Sequence, residues 1–205
     1  MPGAPLGALF ILVSFLIGAI PWGYLAGRLM RGIDLRAVGS GGTGATNVLR
    51  TLGGKASAVV FILDVLKGVA PVLVARALGF GSWWVAMAAV AAVAGHCWSP
   101  FIGFKGGKGV ATGAGAAIAL FPYTLLALPV MAAVVWATRF VSLGSLVAAG
   151  LVAVLAVAFA AAGHLVWPFA AALLAIAAII AVRHRGNIER LLAGTERRFG
   201  ERISP

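Results

Sequence analysis

The chain has a single cysteine, Cys97, so no intrachain disulfide can form, and nothing in that count indicates a redox centre or a structural zinc. Its three histidines, His96, His164 and His184, are dispersed. No His-Glu-x-x-His is present, so no metal site is expected. A serine-hydrolase elbow of the form Gly-x-Ser-x-Gly is missing. So is the His-x4-Asp of one acyltransferase class: Pro100 and Phe101 stand where an acid would follow His96. The amino terminus has no basic stretch, because Met1 to Leu6 carry no side-chain charge. The apolar run that follows is longer than a signal peptide's, and it reads as a first membrane span. Acids are few, five against sixteen Lys plus Arg, for a formal net charge of +11. No basic stretch is interleaved with aromatics and no nucleic-acid-binding module is recognisable, so nucleic acid is not the expected partner.

What the chain has in excess is apolar residues. They make up 62% of its 205 residues, whereas a soluble domain is about half apolar. The excess is gathered into uncharged runs at about 6–27, 56–78, 83–97, 110–138, 141–162 and 165–182, the pattern of membrane spans. Polar segments 28–55, 98–109 and 183–205 separate or follow them. Neither an internal repeat nor a low-complexity linker is visible, and 1–205 reads as a single membrane domain.

Charge placement orients the runs. With the amino terminus outside, loop 28–55 (Arg28, Arg31, Arg36, Arg50, Lys55) and loop 98–109 (Lys105, Lys108) are cytoplasmic, as the positive-inside rule requires. If 110–138 crossed once, Arg139 and the tail residues Arg183, Arg185, Arg190, Arg197, Arg198 and Arg202 would lie outside. Splitting the run near Pro122 into 110–121 and 122–138 returns all of them to the cytoplasm. The expectation is therefore an all-α integral membrane protein with seven transmembrane segments, amino terminus out and carboxyl terminus in, and a short or broken fourth segment. At about 18 Å, 110–121 falls short of the ~30 Å hydrocarbon core. Such a helix is tolerable only where protein buries it or it lines a cavity.

Three polar segments converge on one side. Gly39-Ser-Gly-Gly-Thr-Gly-Ala-Thr-Asn-Val-Leu-Arg50 combines backbone freedom with Ser40, Thr43, Thr46, Asn47 and the planar cation Arg50, a set suited to phosphate oxygens. A solvated flexible loop would account for the same glycines. Phe104-Lys-Gly-Gly-Lys-Gly-Val-Ala-Thr112 runs straight into the fourth apolar segment. Lysines and glycines before a helix amino terminus make an anion cradle. The spacing is not that of a nucleotide P-loop, since Gly109 follows Lys108 where Ser or Thr is required. His184-Arg-Gly-Asn-Ile-Glu-Arg190 follows the last run and offers a proton acceptor, an amide and an acid. Attraction to anionic lipid explains part of that tail. Within the spans, Asp64 and Lys67 at i, i+3 can meet on one helix face, a structural pair before it is a catalytic one. His96 reads as a packing or interfacial residue.

Those segments resemble a known family. GSGGTGATNVLR, GHCWSPFIGFKGGKGVATGAG and HRGNIERLLAGTE are similar, in order, to the three cytoplasmic motifs of the bacterial acyl-phosphate:glycerol-3-phosphate acyltransferases, the PlsY family. The resemblance spans the chain. In the first motif Gly42 and Thr43 stand where the family commonly has Asn and Ile. The resemblance implies transfer of a fatty acyl group from acyl phosphate to the sn-1 hydroxyl of glycerol 3-phosphate, giving lysophosphatidic acid and phosphate, with no cofactor and no metal. It further implies a multi-pass protein of the bacterial inner membrane with its site facing the cytoplasm. The expected partners are the two substrates, the lipid bilayer and the enzyme that makes the acyl phosphate. Ser40, His184, Asn187 and Lys105 are the expected catalytic residues, and Arg50, Asn47, Thr46, Gly106, Gly107, Lys108, Gly109 and Thr112 the expected substrate contacts. In that scheme Arg50 and one of Lys105 or Lys108 bind the acceptor's phosphate, and the 106–109 amides hold the acyl phosphate. The proton acceptor is either His184 or the donor's own phosphate. A transporter of phosphorylated solutes is the rival reading, disfavoured because no paired broken helices occur in two halves.

Overall fold

The computed structural model describes residues 2–200; Arg202 of the basic tail lies outside the described residues. The architecture is all-helical. The first helix, α1 (Ala4–Ala19), and α2 (Trp22–Arg31) are joined through a break at Ile20 and Pro21. A short α3 (Ala45–Leu52) precedes α4 (Gly54–Ala77) and α5 (Ser82–Cys97). Then come α6 (Val110–Leu120), α7 (Ala127–Thr138), α8 (Val141–Ala161), α9 (Trp167–Arg183) and α10 (Arg185–Leu192).

The expected seven transmembrane segments are overturned by helix length. Among the described residues four helices are long and apolar enough to cross a membrane: Ala4–Arg31, Gly54–Ala77, Ser82–Ile102 and Val141–Ala161. A fifth is added if α9 and α10, bent by 58°, count as one span. The helices Val110–Leu120 and Pro122–Thr138 are shorter. At ~1.5 Å per residue, the eleven residues of α6 reach only about 17 Å. Phe121 is extended at φ −151°, and Pro122 begins a 3-10 turn that leads into α7. The α6–α7 pair thus leaves and returns to the same end of the bundle. Positive-inside counting registers only that return, so it credited two crossings to helices too short to make them.

Small residues set the packing. A Cβ on Gly18 would run into the Ala92 carbonyl and one on Gly95 into the Phe15 carbonyl, which brings α1 and α5 into backbone contact. Gly68 and Gly115 do the same for α4 and α6, against the carbonyls of Thr112 and Val65. Such small-residue seams are how helices associate where lipid supplies no hydrophobic drive.

The break between α1 and α2 creates a polar problem inside the bundle. Pro21 has no N–H to give, and the carbonyls of Ala19 and Ile20 need other donors. The Ser99 hydroxyl donates to the Ala19 carbonyl at 2.6 Å and the Lys67 ammonium to the Ile20 carbonyl at 2.8 Å. Lys67 also pairs with Asp64 at 2.8 Å, both side chains at most 4% exposed, and His96 Nδ1 stands 3.5 Å from the same carboxylate oxygen. At the other end Arg76 donates to the Leu120 carbonyl at 2.9 Å and closes the last turn of α6.

Removing one member of a buried ion pair leaves the other uncompensated. Lys67→Ala is therefore expected to cost about 3–5 kcal/mol, read as a lowered unfolding midpoint of the purified protein, whereas an unchanged midpoint would show the pair to be dispensable.

Candidate functional site

At the end of the bundle where the basic loops gather there is a cavity of about 270 Å³. Its wall comes from all three polar segments and from the start of α8.

The first segment is shaped by Asn47. The Asn47 side-chain NH2 donates to the carbonyls of Leu35, Val38 and Gly42 at 2.8–3.1 Å, and its carbonyl oxygen accepts from the Ser40 amide at 2.9 Å. The Asn47 side-chain amide is thus engaged in folding the glycine loop, and Asn47 lines the cavity together with Ser40, Thr46 and Arg50. The loop is fastened to its neighbour by Arg36, which donates to the Ile102 carbonyl at 2.7 Å and pairs with Asp34 at 2.7 Å. Hydrogen bonding by Arg36 holds the Asp34 carboxyl down at about 2.

The second segment presents Lys108 to the cavity, together with Gly107 and Gly109. Lys105 is exposed and stands outside the lining, as does Gly106, and Thr112 is fully buried away from it. The amides of Gly106 and Gly107 are already committed, to the carbonyls of Cys97 and His96 at 3.2 and 3.1 Å. The donors left to a ligand are those further on. Gly109, in the left-handed region at φ 82°, turns the chain into α6, whose amino terminus has no side-chain cap. Its opening amides have no carbonyl within the helix to bond and carry the positive end of the helix dipole.

The third segment lies at the bend between α9 and α10. His184 is 2% exposed, and its Nδ1 lies 2.8 Å from the Ile180 carbonyl. A carbonyl can only accept, so Nδ1 carries the hydrogen and the Nε2 of the neutral ring is an acceptor. Burial first, then the nearby Lys108 ammonium, pushes His184 down to about 4. Asn187 donates to Glu196 at 2.6 Å.

Several lining residues lay outside the expected set: Ser142 and Ser145 on α8, Arg190, Glu196 and Arg197, and also Asp64 and His96. Glu196 organises this wall, accepting from Asn187 and the Ser142 hydroxyl on one oxygen and from Arg190 on the other. Burial opposes its ionisation, but these donors hold it below the usual carboxylate range. Arg197 reaches across to the Gly39 carbonyl. Two polar residues at i, i+3 opening an otherwise apolar helix were the available signal for Ser142 and Ser145; for Glu196 only folding back of the tail reveals the role.

A second, apolar groove of about 60 Å³ shares Val110, Met131 and Ser145 with the cavity and runs between α6, α7, α8 and α9. A cationic cavity opening into an apolar groove fits an amphiphile with an anionic head.

Comparisons with known proteins agree with that chemistry. A family model described as glycerol-3-phosphate acyltransferase matches residues 8–194. Glycerol-3-phosphate acyltransferase 1 of Deinococcus radiodurans is 48% identical over 197 residues, covering 96% of this chain and 97% of that protein. A glycerol-3-phosphate acyltransferase of Synechococcus sp. is 46% identical over 196 residues, covering 95% and 96%. The crystal structure of PlsY (YgiH), an integral membrane glycerol 3-phosphate acyltransferase, in its glycerol 3-phosphate form has a TM-score of 0.87 at 41% identity and covers 95% of this chain and 96% of that one. Its lysophosphatidic acid form has a TM-score of 0.85 at 39% identity.

Lys108 gives the site a pH signature. Burial first, with Arg190, Arg50 and Arg183 acting in the same direction, pushes its ammonium down to about 8 against the pull of Glu196. Below about 8 it is charged and attracts phosphate; above, the charge is lost. Inorganic phosphate is expected to bind more weakly as pH rises through that value, and the step should vanish in Lys108→Met when both proteins are titrated by calorimetry.

Proposed function

This chain belongs to the glycerol-3-phosphate acyltransferase family, and we propose that its cavity joins the two substrates of that reaction through two separate cationic anchors. The protein is a multi-pass enzyme of the bacterial inner membrane that transfers a fatty acyl group from acyl phosphate to glycerol 3-phosphate, giving lysophosphatidic acid. In our reading 1–205 is one membrane domain. The site faces the cytoplasm: among the described Lys and Arg residues only Arg76 stands at the opposite end, with Lys67 midway along α4, and positive charge is retained inside.

The observation that carries the residue roles is that Arg50, on α3, and Lys108, just before the amino terminus of α6, both line one cavity. Arg50, with Ser40 and Thr46, binds the phosphate of glycerol 3-phosphate. Lys108 and the opening amides of α6 bind the acyl phosphate, whose chain lies in the apolar groove. The acceptor's hydroxyl oxygen attacks the acyl carbon, a new C–O bond forms, and the bond from that carbon to the phosphate oxygen breaks. The donor arrives activated, so positioning and charge stabilisation supply the catalysis. Neutral His184 accepts a hydrogen bond from the attacking hydroxyl and orients it. A ring titrating near 4 is a poor proton acceptor at neutral pH, so the departing phosphate takes the proton. Asn187 lines the cavity and is held by Glu196, and Lys105 has no part in the chemistry.

Steady-state assays with acyl phosphate and glycerol 3-phosphate test this. Arg50→Ala should raise the KM for glycerol 3-phosphate at least tenfold, about 1.4 kcal/mol; an unchanged KM would remove Arg50 from the acceptor site. His184→Gln should lower kcat by less than about 100-fold, the lower end of what a general base contributes, and a larger loss would reassign the proton to His184. In the groove, Ala114→Phe should shift preference toward shorter acyl chains, checked by competing donors of different length; an unaltered profile would place the chain elsewhere.

A further inference from the structure

Beyond α10 the chain folds back along the edge of the cavity. Gly194, in the left-handed region at φ 69°, turns it out of the helix. Glu196 and Arg197 line the cavity, and Thr195, Arg197, Arg198 and Phe199 are exposed. A residue such as Arg197 that does both stands between the cavity and solvent. The segment is fastened firmly to one side. Glu196, its side chain 7% exposed, accepts from Ser142, Asn187 and Arg190. Arg139, at the corner between α7 and α8, donates to the Phe199 carbonyl from Nη2 at 2.8 Å and from Nε at 3.2 Å, and its own carbonyl accepts from the Phe199 amide at 2.6 Å. The Arg198 guanidinium lies over the Phe140 ring at 5.8 Å. Toward the first glycine loop the fastening is lighter: Arg197 donates to the Gly39 carbonyl, and Gly39 is itself part of the cavity wall.

We infer that residues 195–199 are a strap across the aqueous mouth of the cavity, latched by the Arg197–Gly39 hydrogen bond, and that the strap keeps water from hydrolysing bound acyl phosphate. Water can stand in for the acceptor's hydroxyl. Its oxygen would bond to the acyl carbon, the bond from that carbon to the phosphate oxygen would break, and the phosphate would take a proton from the water, leaving a free fatty acid and phosphate. The donor arrives activated, and the site works by positioning and charge stabilisation. A water in the acceptor's place would receive the same assistance, so protection falls to the walls that exclude it. Glycerol 3-phosphate is itself water-soluble and must enter from the aqueous side, so part of that wall has to open. The lighter seam marks where. On the α8 side the strap is held by several contacts, whereas toward the first loop an exposed side chain bonds a glycine carbonyl, in a segment whose backbone yields easily. Release of Arg197 parts the strap from the first loop and leaves its Glu196 and Phe199 anchors in place.

The inference rests on acyl phosphate occupying this cavity. The test uses full-length wild type, Arg197→Ala, Arg197→Gln and, as a control, the exposed Arg185→Ala, each in lipid nanodiscs. Acyl phosphate is supplied with and without glycerol 3-phosphate, and free fatty acid and lysophosphatidic acid are both quantified. Wild type should form little fatty acid in either case. In Arg197→Ala the ratio of fatty acid to lysophosphatidic acid should rise about tenfold or more, the effect of losing a hydrogen bond from a charged donor. Arg197→Gln keeps a donor without the charge and should fall between the two, and Arg185→Ala should keep the wild-type ratio. A merely structural role would lower both rates together and leave the ratio where it was. An Arg197→Ala ratio within about threefold of wild type, too small a change for such a bond, would overturn the inference. If Arg197→Ala does not fold, Arg197→Gln with wild-type thermal stability and the wild-type ratio would overturn it as well. Failure of the wild-type protein to form lysophosphatidic acid from acyl phosphate would instead sink the assignment on which the inference stands.

Discussion

The ion pair of Asp64 and Lys67 is the contact on which the rest of this structure depends. The amino-terminal span breaks at Ile20 and Pro21, and the break frees carbonyls from helical hydrogen bonding in a partly buried place. Lys67 satisfies one of these, Asp64 balances the charge of Lys67, and His96 stands beside Asp64. Two helices, α4 and α5, and the break after α1 are thereby tied at one point. Because His96 also lies directly beneath Gly107, that point is continuous with the floor of the cavity. Buried ionic groups contribute little net stability compared with apolar packing; what this group contributes is a defined place for the glycine loop.

Around that anchor the cavity is assembled by residues that hold its loops in place. Asn47 folds the first loop, Arg36 fastens it to the second, Arg183 and His96 hold the second from opposite faces, and Glu196 gathers the third with α8. Among the groups that line the cavity are Arg50, Lys108, His184 and several hydroxyls. An activated donor needs no covalent intermediate, so a site that only positions and stabilises charge suffices for acyl transfer.

The reading from residues alone differs from the folded chain in a consistent way. Gly106 and Gly107 were expected to offer their amides to phosphate, but both are used to dock the loop onto α5. Lys105 and Lys108 have the same chemistry and nearly the same place in the chain, yet only Lys108 lines the cavity and Lys105 is exposed. Asn47, expected as a substrate contact, lines the cavity and also organises the backbone of the first loop. Ser142 and Glu196 were not expected, since they meet only when the tail folds back onto the start of α8.

Sequence by itself determined that this is an apolar, helical membrane protein with its positive charge gathered at one end, and that three glycine- and cation-bearing segments share that end. Those properties follow from composition and local order, which bilayer insertion and the positive-inside rule read directly. Its motifs also identified the family. The tertiary structure decided how many helices are long enough to cross, because the helices Val110–Leu120 and Pro122–Thr138 are apolar like a true span but shorter. It also decided which of the polar residues face the cavity, because a peptide's direction in a glycine loop is set by distant partners, Arg183 and His96 here, and by nothing in the loop's own sequence.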